Sequence, residues 1–307
     1  MKKNPHKINY FLILYLILYL IIGLFGPFLF AENIAEGMTK FLPLVLGILY
    51  LLISRQPVLS SVKITGFHPL SIPLTILMTY CLWPLISIVN MISMLFAANH
   101  IDGALTQLIA SDGFLYALFS MAILPACLEE FTFRGLIYGQ YRNQRPIKAI
   151  LFSSLCFGLM HMNFNQFSYA FVLGIFLSLL LEASGSLFMP ILMHFTFNAT
   201  SVCMVWVEQK LSNVLPQLAQ ESANSTLTVT ETLGSIAVML PIATIGCFLA
   251  SLAFRKIASL NGNWEEIKSW KERQAYKERP NYKLTGIAFY VFVAICLIMC
   301  VLMEVLS

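Results

Sequence analysis

The chain has 307 residues, of which 58% are hydrophobic and 11% charged, with a formal net charge of +4. Soluble globular domains carry roughly 25% charged residues, so this composition leaves too little polar surface to cover a water-soluble body. It excludes a soluble protein, and the small net charge gives no basis for binding nucleic acid.

A hydrocarbon core of about 30 Å calls for roughly 20 apolar residues per helix. In chain order the apolar stretches are residues 8–30, 41–53, 70–98, 114–136, 147–162, 167–181, 188–207, 233–254 and 284–305. The first follows Lys2, Lys3 and Lys7 and resembles a secretory signal, but it is longer than a signal's apolar core of roughly 7–15 residues. It reads as an uncleaved span. The expected fold is therefore an all-α polytopic transmembrane bundle of nine spans with a cytoplasmic N-terminus. The second, fifth and sixth stretches are short, so eight is the alternative count.

Charge placement tests this reading. With the N-terminus inside, all but Lys40 and Lys210 of the 19 Lys and Arg fall in cytoplasmic segments or at their span ends. The opposite side receives Glu32, Glu36, Asp102, Asp112, Glu208, Glu221, Glu231 and Glu304. That asymmetry is the positive-inside rule. Residues 208–231 are rich in Ser, Thr, Asn and Gln and read as a polar external loop. Residues 257–283 set Trp264, Ile267 and Trp270 among Glu265, Glu266, Lys268, Lys271 and Arg273, which suits an amphipathic helix at the cytoplasmic headgroups. The seven cysteines lie in apolar stretches without a CxxC pair, and read as buried free thiols.

Ionisable groups at membrane depth are costly and mark function by default. Here they are Glu129, Glu130 and Arg134, then His161, then His194 with Asn198. On a helix Glu130 and Arg134 are i, i+4 and can form an ion pair. Glu129 is turned by about 100° from Glu130, has Phe133 at its own i+4 position and lacks a local cation. A carboxylate in apolar surroundings beside a like charge is suited to general-base work near neutral pH. If the chain turns at 143–146, Glu129 and His161 stand at similar depth on an antiparallel hairpin. His194 and Asn198 share a helical face.

Glu129-Glu130-x-x-x-Arg134-Gly135, Phe157-x-x-x-His161 and His194-x-x-x-Asn198, in this order, resemble the three-motif signature of the CPBP family (CAAX protease and bacteriocin-processing, or Abi) of intramembrane proteases. The resemblance covers about residues 114–207, a catalytic core set between an N-terminal region of three spans (1–113) and a C-terminal region (208–307). It implies an endopeptidase in which Glu129 and His161 activate water, His194 and Asn198 meet the oxyanion, and Glu130 and Arg134 support the site. The substrate would be a membrane-associated peptide or protein, lipidated or not: a CAAX-type C-terminus, a leader or a bacteriocin. Two other readings compete: a non-catalytic scaffold or bacteriocin-immunity protein of the same family, and a proton-relaying transporter. Zinc, if used, would take Glu129, His161 and His194 as ligands. No HExxH motif is present, since Met162 follows His161 and Phe195 follows His194. Nor does any further carboxylate remain to act as base, so the expectation is a metal-free mechanism. Membrane lipid is the expected surrounding partner, and the lysine-rich start suits a bacterial cytoplasmic membrane.

Overall fold

The computed structural model describes residues 6–99, 101–142, 146–215, 228–270 and 285–306. Every regular element among them is helical. We number the helices α1 (His6–Leu29), α2 (Glu32–Ile53), α3 (Ser71–Ser93), α4 (Ile101–Asp112), α5 (Phe114–Tyr141), α6 (Pro146–Leu159), α7 (Phe164–Ser184), α8 (Phe188–Val214), α9 (Val229–Leu260), α10 (Trp264–Ser269) and α11 (Ile287–Leu306).

Among the described residues eight helices are long and apolar enough to cross a membrane: α1, α2, α3, α5, α7, α8, α9 and α11. This is the alternative count that the sequence allowed, nine being reached only if the shorter apolar helix α6 is included. The stretch at 147–162 forms only the 14-residue helix α6, about 21 Å at 1.5 Å per residue. Two other stretches are longer than their apolar cores implied. Helix α2 has 22 residues and α7 has 21, because both incorporate polar flanks.

Helix direction still alternates as nine elements would. At one end Glu182 of α7 holds Arg142 at 3.0 Å and Lys63 at 3.9 Å, while Asn9 of α1 accepts from the Tyr141 hydroxyl at 2.5 Å. At the other end Glu304 of α11 accepts from the Ala98 amide at 3.1 Å, and Gln209 of α8 donates to the Thr106 carbonyl at 2.8 Å. Basic residues gather at the first end.

Three expectations about the connecting segments change. Residues 101–112, read as loop, form α4, whose Leu105 and Ile109 are buried one helical turn apart. Helix α8 extends into the expected external loop as far as Val214, and residues 216–227 lie outside the described ones. The segment 257–283 is no single amphipathic helix: α9 runs to Leu260 and α10 occupies Trp264–Ser269. Its tryptophans face protein. Trp270 is buried in the main core, and Trp264 lies under the Arg255 guanidinium at 5.1 Å. Residues 271–284 lie outside the described ones. The cysteines are all free, but only Cys156, Cys296 and Cys300 are buried; Cys127 and Cys203 stand on the outside of the bundle.

Two apolar clusters hold the site between them. One joins α1, α5, α6 and α11 through Leu12, Leu16, Leu136, Tyr138, Phe157 and Phe292. The other joins α3, α7 and α9 through Leu82, Leu177, Leu180 and Ala253. Helices in lipid associate through small residues that let backbones approach. At the α3–α9 crossing a Cβ on Gly246 would lie 2.1 Å from the Cys81 carbonyl oxygen, so nothing larger than glycine fits.

Candidate active site

Helix α5 is not uniform. Its segments Phe119–Ile123 and Phe131–Tyr138 are π-helical, and between them Leu124–Glu130 is α-helical. Such π turns often accompany functional sites. Glu129 and Glu130 end the α-helical segment, so a continuous α-helix through 128–134, as the sequence suggested, stops at Glu130. The ion pair survives the change of winding. Arg134 Nη1 lies 2.9 Å from Glu130 Oε1, with both side chains fully buried.

Four of the six singled-out residues line one cavity of about 180 Å³: Glu129 from α5, His161 from the turn after α6, and His194 and Asn198 from α8. Glu130 and Arg134 stand behind it, in the core. Their buried charges are compensated locally. Arg134 also lies over the Phe157 ring at 4.2 Å, a cation–π contact. The Phe157 ring meets His161 and His194 edge-on at 5.0 and 5.8 Å. Phe157 thus wedges the arginine and both histidines into one cluster. Space for Arg134 comes from α7. A Cβ on Gly174 would lie 2.8 Å from Arg134 Nη2, 3.1 Å from Ser154 Cβ and 3.2 Å from Phe157.

The turn at 160–163 ends α6 and starts α7. Met162 takes φ 50°, a left-handed value rare for a non-glycine residue. Asn163 then caps α7, its Oδ1 accepting from the Gln166 amide at 3.0 Å. Asn165 donates to Asn90 and to Ser93, each at 2.8 Å. Irregular backbone within a bundle requires such internal partners. They fix the turn that carries His161.

Hydrogen bonds assign the ring nitrogens. His161 Nδ1 lies 2.9 Å from the Phe157 carbonyl, which can only accept. Nδ1 is therefore the donor, and in the neutral ring Nε2 is an acceptor for the cavity. His194 Nδ1 lies 2.9 Å from Glu130 Oε1, and its Nε2 lies 3.8 Å from Glu129 Oε2. Sequence reasoning held Glu130 to Arg134 alone and left Glu129 among apolar neighbours; both are corrected. Glu130 serves arginine and histidine together, and Glu129 faces His194. Asn198 donates one N–H to the Met121 carbonyl at 3.0 Å, in the first π-helical segment, and its other N–H remains for a ligand.

The remaining cavity wall was not foreseen. Ile101 and Leu105 of α4, Gln166 and Tyr169 of α7, and Phe197 and Ser201 of α8 complete it. Only the spacing of Ile101, Leu105 and Ile109 signalled that 101–112 presents an apolar helical face.

A metal would need converging ligands. Among the described residues no group of three His, Cys, Asp or Glu side chains is arranged to hold one. Among the described residues, Glu129, His161 and His194 are not arranged as a His₂Glu zinc site in this geometry.

Fold and cavity define a polytopic helical membrane protein with a carboxylate, two histidines and an amide on one cavity wall. Residues 111–200 match the family described as type II CAAX prenyl endopeptidase Rce1-like, to which this segment of the chain is similar. The match spans all three motifs. No curated protein and no solved structure gives a significant match to the chain.

Proposed function

We propose that the chain is an intramembrane endopeptidase that hydrolyses a peptide bond of a membrane-associated polypeptide with water activated by Glu129 and His161. The observation that carries this reading is the convergence of Glu129, His161, His194 and Asn198 on a single cavity from three helical elements. A scaffold or immunity protein has no use for such a set at membrane depth. A transporter would string its ionisable groups along a path, whereas these cluster.

A water in the cavity can give one proton to Glu129 and direct the other at His161 Nε2. Its oxygen adds to the scissile carbonyl carbon. The resulting oxyanion is met by the free N–H of Asn198 and by His194. His194 is aimed by Glu130, 2.9 Å from its Nδ1, and its Nε2 faces Glu129 across the cavity. Glu129 then returns its proton to the leaving nitrogen as the C–N bond breaks. One water is consumed, and a carboxylic acid and an amine are formed, which exchange a proton to give carboxylate and ammonium. Each oxyanion donor of this kind is worth roughly 2.7–4 kcal/mol.

The test is product analysis. The purified chain, reconstituted in lipid, is incubated with a defined peptide library, and new termini are read by mass spectrometry. Cleavage that disappears in His161→Ala supports the reading. Cleavage undiminished in that variant would refute the assignment.

A further inference from the structure

The cavity has a closed end and an open end. Toward the basic end it is backed by the π-helical stretch Phe131–Tyr138, every residue of which is buried. Leu12 and Leu16 of α1 and Phe292 of α11, all fully buried, belong to the same apolar cluster as this stretch. Toward the other end the cavity runs into a second one of about 200 Å³, with which it shares Ile101, Leu105, Tyr169, Phe197 and Ser201. That chamber continues past Trp83 to Asn90, Asn99 and Asp102. Asn90 is near the C-terminal end of α3, and Asn99 and Asp102 lie where α3 passes into α4.

The two ends differ in charge. The closed end holds Lys63, Arg142 and Glu182, and the basic residues Arg55, Lys148, Arg255 and Lys256 belong to the same helix ends. The open end holds Asp102, and Glu304 bound to Ala98. Basic residues are retained on the cytoplasmic side of a membrane. The open end is then the one facing away from the cytoplasm.

We propose, on the basis of the peptidase reading above, that the cavity takes its substrate from the non-cytoplasmic face: an exported or surface-tethered polypeptide, and not a CAAX-type C-terminus presented by a cytoplasmic protein. An extended segment enters beside α4. Trp83, Tyr169 and Phe197 offer an apolar aromatic wall, and Asn90, Asn99 and Asp102 supply the polar groups that a polypeptide backbone requires. The scissile carbonyl then reaches Glu129, which lies deeper on α5, at the inner end of this route.

Sided labelling tests the access. In a full-length chain without native cysteines, Ser201→Cys and, separately, Ser87→Cys report on the two chambers, and Ser60→Cys reports on the basic end. A membrane-impermeant maleimide is applied to spheroplasts and to inverted vesicles of a bacterial host. The expected result is modification of Ser201→Cys and Ser87→Cys in spheroplasts and of Ser60→Cys in inverted vesicles. Modification of the first two from inverted vesicles, from both preparations or from neither overturns the proposal. A membrane-impermeant peptide library added to the same preparations should be cleaved in spheroplasts alone, and not by Glu129→Gln. Outside labelling with no peptide cleaved, even in detergent, would overturn the peptidase reading while upholding the side of access. Cleavage confined to inverted vesicles would overturn the side of access alone.

Discussion

His194 Nδ1 lies 2.9 Å from Glu130 Oε1, the same oxygen that holds Arg134 Nη1 at 2.9 Å. One buried carboxylate therefore neutralises an arginine and aims the histidine that faces Glu129. Removing either partner leaves an uncompensated charge in the core. Arg134→Ala should lower stability by roughly 3–5 kcal/mol. A thermal melt in detergent checks it. An unchanged melting temperature would show that the pair is hydrated, not buried.

Gly174 gives Arg134 and Phe157 their room. Gly174→Ala places a methyl group 2.8 Å from Arg134 Nη2, 3.1 Å from Ser154 Cβ and 3.2 Å from Phe157. Overpacking of this kind costs about 1–3 kcal/mol. The variant should melt earlier and turn over more slowly, because the displaced Phe157 carries both histidines with it. Full activity with a normal melt would mean that the guanidinium swings aside freely.

Much of this site was legible in the sequence, and the reasons differ by residue. The Glu130–Arg134 pair follows from i, i+4 spacing, which outlasts the switch to π winding after Glu130. The meeting of Glu129, His161, His194 and Asn198 follows from four charged or polar residues too costly to leave in lipid, together with the family resemblance. The bond from His194 to Glu130 was not legible, since it joins α8 to α5 and depends on how the helices rotate against each other. Helix α4 was missed because its apolar positions are few and its flanks polar, so composition resembled loop. Eight and nine spans could not be told apart in the sequence because the polar turn at 160–163 ends α6 early, and apolarity alone does not reveal a buried Asn cap.

Asn198 presents one N–H to the Met121 carbonyl and keeps the other for the cavity. Asn198→Ala should therefore reduce kcat by roughly 10²–10³, the usual loss for one oxyanion donor. Its loss of the Met121 bond should cost only about 0.5–1.5 kcal/mol of stability. A fall in activity matched by gross unfolding would assign Asn198 to structure instead.

Glu130 is held by Arg134 and His194, which leaves Glu129 as the one carboxylate among the described residues that line the 180 Å³ cavity. It cannot be both zinc ligand and base. Protein dialysed against a strong chelator and shown metal-free by elemental analysis should keep its peptidase activity. Activity lost on chelation and restored by stoichiometric zinc would make Glu129 a ligand and refute the metal-free mechanism.

The division of labour between adjacent carboxylates is tested most directly by comparing Glu129→Gln with Glu130→Gln in one assay, measuring kcat and melting temperature on the same preparations. Glu129→Gln should lose roughly 10²–10⁴ in kcat, the contribution of a positioned general base, and melt like the unmodified chain. Glu130→Gln should melt markedly earlier, because it abandons a buried arginine. Cleavage that survives Glu129→Gln, with the destabilisation falling on that variant instead, would contradict the assignment of Glu129 to the chemistry and Glu130 to its support.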